Sequence, residues 1–543
     1  MKRKTRRTVS VLVTLLLLLL LPVQAFAETY DLKDGDITVT ADDTGQYVSQ
    51  GVVVNKKQTT ETIINQTVGV TDNTVTINAE AGQTAKVTLD GVNIDRSGAT
   101  NEAAVSTTGA GDVKIELDGD NVLQSGDDHA GLEKKNAGTL TIGDDNDVDG
   151  SLTTTGGQNG AGIGGGYVGN DTNNITITGG TITANGGQSA AGIGGGNGGD
   201  ASNITIAGGT VTAQGSSTGA GIGGGNGGNG SNIEISGGTV TATGGQSSAG
   251  IGGGFEGDGS NIEISGGTVT AKGTNYGAGI GGGSRGNGSD IEISGGSVTA
   301  IGGIKGGAGI GGGNNGHNVP APRLKGDGYN IKITGGTVVA TGGQHGAGIG
   351  GGWHGKGSNF TVSGDARVKT QGGKGNYSDG KGACMGNGGY CEYRLNTCTD
   401  GEEVKPDTSG LTTGWIEFYE PDADMDKDAP TSVITAPKPG PKATVDGTYK
   451  IGDKVVINGI EWIIVGIEGD VLELASAKAF TEEQLKDLEA LIKTLLTNAQ
   501  LEKLIADKTT GERVFLADED IVKEYFGGET GHIVILADKS ILG

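Results

Sequence analysis

The sequence predicts an all-β solenoid, a right-handed parallel β-helix with coils of about 29 residues, followed by a small α+β domain. The first observation is a motif, Ala-Gly-Ile-Gly-Gly-Gly, that occurs seven times at steps of 30, 29, 29, 29, 30 and 39 residues. A fixed period of this size is typical of structural units that stack on one another. The second observation is a set of isoleucine pairs in step with the motif, from Ile175/Ile177 to Ile331/Ile333. The motif copies begin at Ala161, Ala191, Ala220, Ala249, Ala278, Ala308 and Ala347.

Each repeat contains three short stretches with strand patterning, as residues 231–254 illustrate. Polar and apolar residues alternate over 232–235 and 239–242, and glycine pairs after each stretch allow sharp turns. Residues 249–251 form the third strand, with Ile251 facing inward. Parallel crossovers are almost always right-handed, which sets the expected hand of the helix. The high glycine content would alternatively indicate disorder, but the strict register of the isoleucines predicts continuous inner ladders.

Residues 1–27 have the pattern of a signal peptide. Five basic residues within 2–7 precede an apolar run over 11–23, and Ala25-Phe26-Ala27 offers a cleavage site. A retained membrane helix is the alternative, although the apolar run is short for a membrane span. The pattern predicts a secreted, extracellular protein that could stay associated with the cell surface.

The acidic balance of the chain narrows the class of partner. Removal of the predicted signal peptide would leave 34 basic and 64 acidic side chains, a net charge of −30. This charge repels phosphates and argues against nucleic acids and anionic membranes as partners. It is compatible with divalent cations and with neutral or cationic glycans.

The three cysteines, Cys384, Cys391 and Cys398, lie within 15 residues of each other. In an exported chain we expect one local disulfide and one remaining thiol. A metal site is the alternative, but the segment contains no histidine. The spacing does not decide which two cysteines pair.

The predicted domains follow the shifts in composition. The solenoid spans 28–398, with a divergent first part over 28–135 in which 87–91 and 115–119 are offset by 28 residues. Regular coils span 139–376 and a capping coil spans 377–398, where 382–386 is a degraded copy of the motif. An acidic, proline-rich linker is expected over 399–444. An α+β domain follows over 445–543, with strands at 454–457, 461–467, 470–474, 514–516 and 532–536, and helices from Thr481 and near 520–525.

One column of the solenoid is acidic. Each repeat position becomes a column with a spacing of about 4.8 Å between coils. Glu234, Glu263 and Glu292 share one outward strand position. Like charges directly opposed on neighbouring strands are destabilising, so a bound cation would relieve the repulsion. A solvated charged face is the simpler interpretation.

Two loops have alternating aspartates. Asp145, Asp147 and Asp149 followed by Gly150 fit the first half of a calcium loop, but Gly156 stands where a bidentate glutamate is expected. These three aspartates and the three glutamates are the candidate calcium ligands. A second alternating set lies in the predicted linker: Asp422, Asp424, Asp426 and Asp428.

The residues that follow the glycine triplet form a second column of interest. Aromatic and amide side chains bind sugars through ring stacking and hydrogen bonds. The insert at 317–328 lies on the same edge and could form a rim. Ordinary loop variability is the alternative. The carbohydrate-binding candidates are Tyr167, Asn197, Asn226, Phe255, Asn314, Trp353 and the adjacent His354, while Ser284 occupies the remaining coil.

A third column repeats Thr-x-Thr, from Thr181/Thr183 to Ser297/Thr299. A flat threonine ladder can order water and bind ice. The simpler interpretation is that threonine suits exposed strand positions, and Val339 interrupts the pattern.

The sequence does not predict an enzyme. No nucleophile–histidine pattern is legible, and polysaccharide hydrolysis needs two carboxylates at a defined separation. A polysaccharide lyase is the main enzymatic alternative, with Arg285, Arg323 and Arg367 as candidates by residue type alone.

Several stretches resemble a known family. They are Asp-His-Ala-Gly-Leu-Glu-Lys-Lys-Asn at 128–136, Gly-Thr-Leu-Thr-Ile at 138–142, Asp-Gly-Ser-Leu-Thr at 149–153 and the glycine-rich block at 160–166. Over about 30–390 the chain resembles secreted carbohydrate-binding domain-containing proteins of Gram-positive bacteria. The resemblance implies a β-helix similar to that of pectate lyases and an association with plant polysaccharides and calcium. The segments around Trp462 and Tyr525 resemble a small domain of bacterial surface proteins, which implies an interaction role.

These observations lead to one hypothesis and two alternatives. We expect a secreted, calcium-assisted protein that binds a plant cell-wall or host polysaccharide along one face of the solenoid, where many weak contacts add up. The first alternative is a structural or adhesive surface spacer whose protein partner binds the carboxy-terminal domain. The second is a polysaccharide lyase.

Overall fold

The computed structural model describes residues 27–99, 102–146, 148–167, 172–315, 326–375, 380–392 and 397–436, and parts of the tail at 453–457, 459–468, 471–477, 496, 514–516 and 533–538. The predicted signal peptide up to residue 26, Asp147, most of the insert and the predicted helices lie outside these ranges. Within them, no helix is long and apolar enough to cross a membrane. The chain divides into two compact units, Met1–Thr408 with Trp415–Ile434, and Ser409–Gly414 with Thr435–Gly543.

The first unit is a right-handed parallel β-helix of about ten coils, each of roughly 29 residues. Every regular coil contributes one strand to each of three faces. Face one has the longest strands: Glu28–Asp31, Thr62–Asn65, Thr84–Asp90, the first half of Asp112–Gln124, Leu140–Gly143, Thr172–Ile177, Ala201–Ile206, Gly230–Ile235, Gly259–Ile264, Gly288–Ile293, Gly328–Ile333 and Gly357–Val362.

Faces two and three complete each coil. Face two consists of Asn93–Asp95, the second half of Asp112–Gln124, Gly150–Thr155, Thr181–Asn185, Thr210–Gln214, Thr239–Thr243, Thr268–Lys272, Ser297–Ile301, Thr337–Thr341, Arg367–Gln371 and Trp415–Tyr419. Face three consists of Ile37–Asp42, Val75–Ala79, Val105–Gly109, Leu132–Lys134, Ile163–Gly164, Ile193–Gly194, Ile222–Gly223, Ile251–Gly252, Ile280–Gly281, Ile310–Gly311, Ile349–Gly350 and Met385–Gly386.

The inner ladders predicted from the sequence are confirmed. On face one, Ile233 lies opposite Ile262, which lies opposite Ile291. These side chains are buried, as is Ile251 on face three. Full burial of one such side chain stabilises the fold by about 1.5–3 kcal/mol, so the stacked isoleucines supply most of the core.

The divergent first part is confirmed as solenoid. Val87 pairs with Ile115 and Leu89 pairs with Leu117, which is the 28-residue offset seen in the sequence. The chain enters through a short 3-10 helix, Leu32–Asp34. An antiparallel extension, Gly45–Gln50 and Val53–Thr59, continues face three beyond Ile37–Asp42.

The segment that the sequence predicts as linker instead covers the last coil. Trp415–Tyr419 pairs in parallel with Arg367–Gln371 and extends face two by one strand. On face three, the backbone N–H of Val404 donates to Met385 at 2.8 Å, and on face one that of Val362 donates to Asp407 at 2.9 Å. At this end of the solenoid, the last strand of each face therefore has a backbone hydrogen-bond partner, which protects edges that would otherwise promote aggregation.

Within the carboxy-terminal unit, the described residues form a five-stranded antiparallel sheet around the buried Trp462. The predicted strands agree with those observed within two residues at each end. In spatial order the strands are Lys454–Ile457, Ile460–Glu468, Val471–Ser476, Ile533–Asp538 and Val514–Leu516.

Two further short elements of the described chain are the antiparallel pair Tyr390–Glu392 and Thr397–Thr399, and the strand Ser432–Thr435.

The two-residue strands of face three, from Ile163–Gly164 to Met385–Gly386, depend on glycine at their second position. Gly252 has a φ of +127°, and a Cβ there would lie 2.1 Å from the carbonyl oxygen of Gly281 in the next coil. The same close approach recurs from Gly164 to Gly350. No side chain fits this position, because real Cβ atoms do not approach a backbone oxygen so closely.

We predict that Gly252→Ala lowers the free energy of unfolding by about 3 kcal/mol, since the coils must separate to admit the methyl group. Gly227→Ala is the matched control, because Gly227 also has a positive φ but has open space around it. It should cost only the backbone penalty of about 1 kcal/mol. Chemical denaturation followed by circular dichroism measures both, and equal losses would contradict this account.

Candidate functional site

The candidate site is a surface made by two loops of each coil. Loop A connects faces two and three, and loop B connects faces three and one. The backbone N–H of Phe255 in loop B donates to Thr218 in loop A at 3.0 Å, and that of Asn314 donates to Tyr276 at 2.7 Å. The two loops thus close over the two-residue strands of face three. We call this surface the loop face: loop A residues 158–160, 187–190, 216–219, 245–248, 274–277, 303–307 and 343–346, and loop B residues 165–167, 195–200, 224–229, 253–258, 282–287, 312–315 and 351–356.

The predicted carbohydrate-binding column lies in loop B, and its first members are accessible. Tyr167 is 48% exposed, and Asn197, Asn226 and Phe255 are half-buried. The amides form a ladder: Asn226 Nδ2 donates to Asn197 Oδ1 at 3.1 Å, and Asn197 Nδ2 donates to Asn159 Oδ1 at 2.9 Å. The ladder fixes the orientation of the amides along the solenoid axis, as a binding surface for sugar hydroxyls requires.

Two other members of that column are buried. Asn314 is 1% exposed and Trp353 is 5% exposed. The Asn314 amide donates to the carbonyl oxygen of Lys305. The Trp353 ring stacks on the buried His345, with 4.6 Å between ring centroids. These two side chains pack the loops together and leave little surface for a ligand.

His354 also has a structural contact. Its Nε2 accepts a hydrogen bond from the backbone N–H of Cys391 at 3.1 Å, and its ring lies 4.7 Å from that of Tyr390. Cys391 is joined to Cys398 in a disulfide. The ring therefore anchors the disulfide hairpin to the last coils.

Sequence reasoning missed an aromatic residue in loop A. Tyr276 lies two residues before its motif copy, at the offset occupied by Asn159, Ser189, Thr218, Ser247, Gly306 and His345 in the other coils. Lys305 Nζ lies 5.1 Å from the centre of the Tyr276 ring, which is cation–π distance. The signal in the sequence is an aromatic residue at a fixed offset, two residues before the motif.

A second cation–aromatic pair lies in loop B. Arg285 Cζ lies 5.7 Å from the centre of the Phe255 ring, and Arg285 Nη1 donates to Glu256 Oε1 at 2.7 Å. The loop face therefore combines two aromatic rings, two cations and a ladder of amides over neighbouring coils.

The backbone of loop B is strained where these charged residues stand. In the left-handed region, Gly198 and Gly227 have φ values of +79° and +77°, whereas Glu256, Arg285 and His354 occupy the same position with φ between +60° and +65°. A side chain with a Cβ costs about 1 kcal/mol there. Strain that persists in this way clusters at functional sites.

The acidic column on face one is in register as predicted. Glu234 lies opposite Glu263, and Glu263 lies opposite Glu292. Glu292 Oε1 accepts a hydrogen bond from Lys332 Nζ at 2.8 Å. The column therefore ends in an ion pair, and only its first two members face each other without a basic neighbour in register.

The Asp145 loop is also paired with a basic residue. Asp145 Oδ2 lies 2.9 Å from Lys114 Nζ, and this contact raises the pKa of Lys114. Asp149 is exposed, and Asp147 lies outside the described residues. Among the residues that the structure describes, no group of three or more acidic, histidine or cysteine side chains could hold a metal ion.

The aspartates of the predicted linker bind lysines. Asp422 pairs with Lys374 at 2.6 Å, and Asp426 pairs with Lys369 at 3.2 Å. These ion pairs hold the acidic segment against the last coil.

The threonine column is exposed and in register on face two, with Thr212 opposite Thr241 and Thr241 opposite Thr270. Val339 interrupts the column between Thr299 and Lys369, as expected from the sequence. The geometry suits an exposed strand face, and the ice-binding alternative stays a prediction.

The end of the solenoid holds a cavity of about 550 Å³. Its lining includes Cys384, Glu403, Phe418 and Tyr419. The Glu403 carboxylate accepts hydrogen bonds from the backbone N–H groups of Cys384 and Met385, at 2.7 and 3.0 Å. Glu403 thus satisfies the edge of the last strand on face three, which is a capping role.

Comparison with known proteins agrees with this architecture. A family model described as Beta helix repeat matches six stretches, 175–197, 204–226, 233–255, 262–284, 291–314 and 331–353. The chain is a parallel β-helix protein. Each match begins at the first inward isoleucine of face one and ends at the loop B residue after the glycine triplet. No curated protein and no solved structure matches the chain. The resemblance to secreted carbohydrate-binding proteins stays a prediction.

We predict that native protein carries one thiol that does not react at neutral pH. Burial raises the pKa of the Cys384 thiol to about 11, and the thiolate is the reactive form. Iodoacetamide at pH 7.5 should leave the native chain unmodified and add one label per chain after unfolding without reductant. Mass spectrometry counts the labels, with Cys384→Ser as the control. Three labels would contradict the Cys391–Cys398 disulfide.

Proposed function

We propose that this is a secreted protein that binds polysaccharide along the loop face of its β-helix. The observation that carries the proposal is the set of ring and amide side chains on neighbouring coils of one surface: Tyr167, Phe255 and Tyr276 with the amide ladder that includes Asn197 and Asn226. Rings supply apolar area for sugar rings, and amides supply donors and acceptors for hydroxyl groups.

The spacing along the axis supports a chain-like ligand. Phe255 in loop B and Tyr276 in loop A are separated by one intervening row, which holds the small residues Ser247 and Ser284. Two coil steps correspond to about 10 Å. An extended glycan that runs along the axis would thus meet Phe255 and Tyr276 two rows apart, with Tyr167 three rows before Phe255. Its contacts would add up over several coils.

We predict that replacing the aromatic residues weakens glycan binding. Tyr167→Ala, Phe255→Ala and Tyr276→Ala should each lower affinity about tenfold, the effect of losing roughly 1.4 kcal/mol of contact. The protein without residues 1–27 would be tested by affinity electrophoresis against pectins, celluloses and host glycans. Tyr329→Ala is the matched control, because Tyr329 is a half-buried tyrosine on face one.

The other outcomes of this experiment favour the alternatives. No retardation with any glycan would overturn the proposal and favour a surface spacer, which deletion of 445–543 would then test by loss of adhesion. Unsaturated products that absorb ultraviolet light would favour a lyase. Equal effects of Tyr329→Ala and the loop-face variants would show that the rings stabilise the fold and do not bind sugar.

Calcium assistance is a separate part of the proposal. It is supported by Glu234 and Glu263, which face each other in register, and by the Asp145–Asp149 pattern. We expect a chelator to weaken glycan binding and calcium to restore it. Glu234→Gln with Glu263→Gln should remove this dependence, whereas unchanged binding in chelator would contradict a role for calcium.

A further inference from the structure

The loop face has a charge balance unlike that of the whole chain. The chain has a formal net charge of −25, but residues 172–315 contain only seven acidic and three basic side chains. Four of the acidic residues, Glu234, Glu263, Asp290 and Glu292, lie on face one. Of the remaining acidic residues, only Glu256 lies at the middle of loop B. Two cations lie near it on the loop face, Arg285 in loop B and Lys305 in loop A.

The two remaining acidic residues in this stretch are turned to the backbone. Asp200 Oδ1 accepts a hydrogen bond from the N–H of Asn229 at 2.7 Å, and Asp258 Oδ1 accepts one from the N–H of Asn287 at 2.8 Å. They connect successive coils at the entry to face one. Loop A contains no acidic residue in any coil between 158 and 346.

Two cations of the loop face, Arg285 and Lys305, lie against rings. Arg285 lies over Phe255 and Lys305 lies over Tyr276. A neutral sugar that stacked on either ring would have to compete with the cation for the ring. A sugar that carries an anionic group would instead use the ring and the cation together.

We propose that the glycan of the loop face is anionic, and that its carboxylate or sulfate groups pair with Arg285 and Lys305 while its rings pack beside Phe255 and Tyr276. This inference rests on the proposed function and departs from the neutral or cationic ligand that the overall charge suggests. Charges separated by more than about 8 Å in physiological salt are largely screened. For an anionic ligand on the loop face, attraction to the nearby cations therefore outweighs repulsion from acidic side chains on face one and at the ends of the chain.

The Arg285–Glu256 pair predicts that substitutions of its two members change the affinity in opposite directions. Glu256 competes with an anionic ligand for the Arg285 guanidinium, so Glu256→Gln should strengthen binding about threefold. Arg285→Gln and Lys305→Gln should each weaken it about tenfold, because they remove a charge-assisted hydrogen bond. Lys272→Gln on face two is the matched control and should change nothing. A merely structural role for the pair would make Glu256→Gln neutral or harmful.

The experiment compares ligands that differ in charge but share a backbone. Isothermal titration calorimetry of the protein without residues 1–27, first with calcium and then in chelator, would use dextran sulfate against dextran, and polygalacturonate against its methyl ester. The first pair reports sulfate recognition and the second reports carboxylate recognition. Binding to a charged member should fall steeply between low and high salt, and thermal unfolding of each variant verifies its fold.

Each result is decisive. Binding to dextran sulfate or polygalacturonate that exceeds binding to the uncharged partner, with opposite effects of Arg285→Gln and Glu256→Gln, supports the inference. Equal binding of charged and uncharged partners, with no effect of the charge variants, overturns it and leaves polysaccharide binding intact. Absence of binding to every glycan overturns both proposals.

Discussion

The close approach of successive backbones on face three is the constraint on which the rest of the structure depends. A Cβ at the second strand position would lie about 2 Å from a carbonyl oxygen of the next coil, so the position is glycine in every regular coil. This approach shortens face three to two residues and brings loops A and B together above it. The tight inner ladders and the continuous loop face both result from that geometry.

The same constraint explains where the chain can vary. Inward positions are mostly isoleucine, valine or alanine, which fill a narrow core, and the second positions of the face three strands are glycine. The tips of loops A and B neither fill the core nor approach the next coil so closely. Amide, aromatic and charged side chains therefore replace one another there from coil to coil. In the coil that precedes the regular ones, Glu133 stands opposite Gly164, at the position where the later strands of face three have glycine. Its buried carboxylate pairs with His129 at 3.0 Å and with Lys135 at 2.6 Å, which shows how many partners a side chain needs in that position.

The sequence predicts the solenoid well because period and strand pattern are local and repeat. The register of Val87 with Ile115 and the strands of the coil at 230–252 follow from spacing alone. The cap at 402–419 could not be predicted in this way, since it lacks the repeat and is defined by three edges that only the stacked coils create. The candidate site is predicted from the sequence only in part. The loop B column was visible as an offset from the motif, but the burial of Trp353 and Asn314 depends on their contacts with His345 and Lys305 across coils. The left-handed backbone at Arg285 has a signature in sequence only in other coils, where Gly198 and Gly227 stand at the same offset.

The loop face changes character along the axis, and this gives a linear ligand a direction. The first coils present the amide ladder beside Tyr167, and the middle coils present the cation–aromatic pairs of Phe255 with Arg285 and Tyr276 with Lys305. The last coils bury their rings around His345 and the disulfide hairpin. A uniform spacer would have no need for such a gradient, because stacking is already secured by the glycines and isoleucines. Under the proposed function, this variation serves recognition, and the cation–aromatic pairs lie in coils 4 to 6 of the seven that carry the motif.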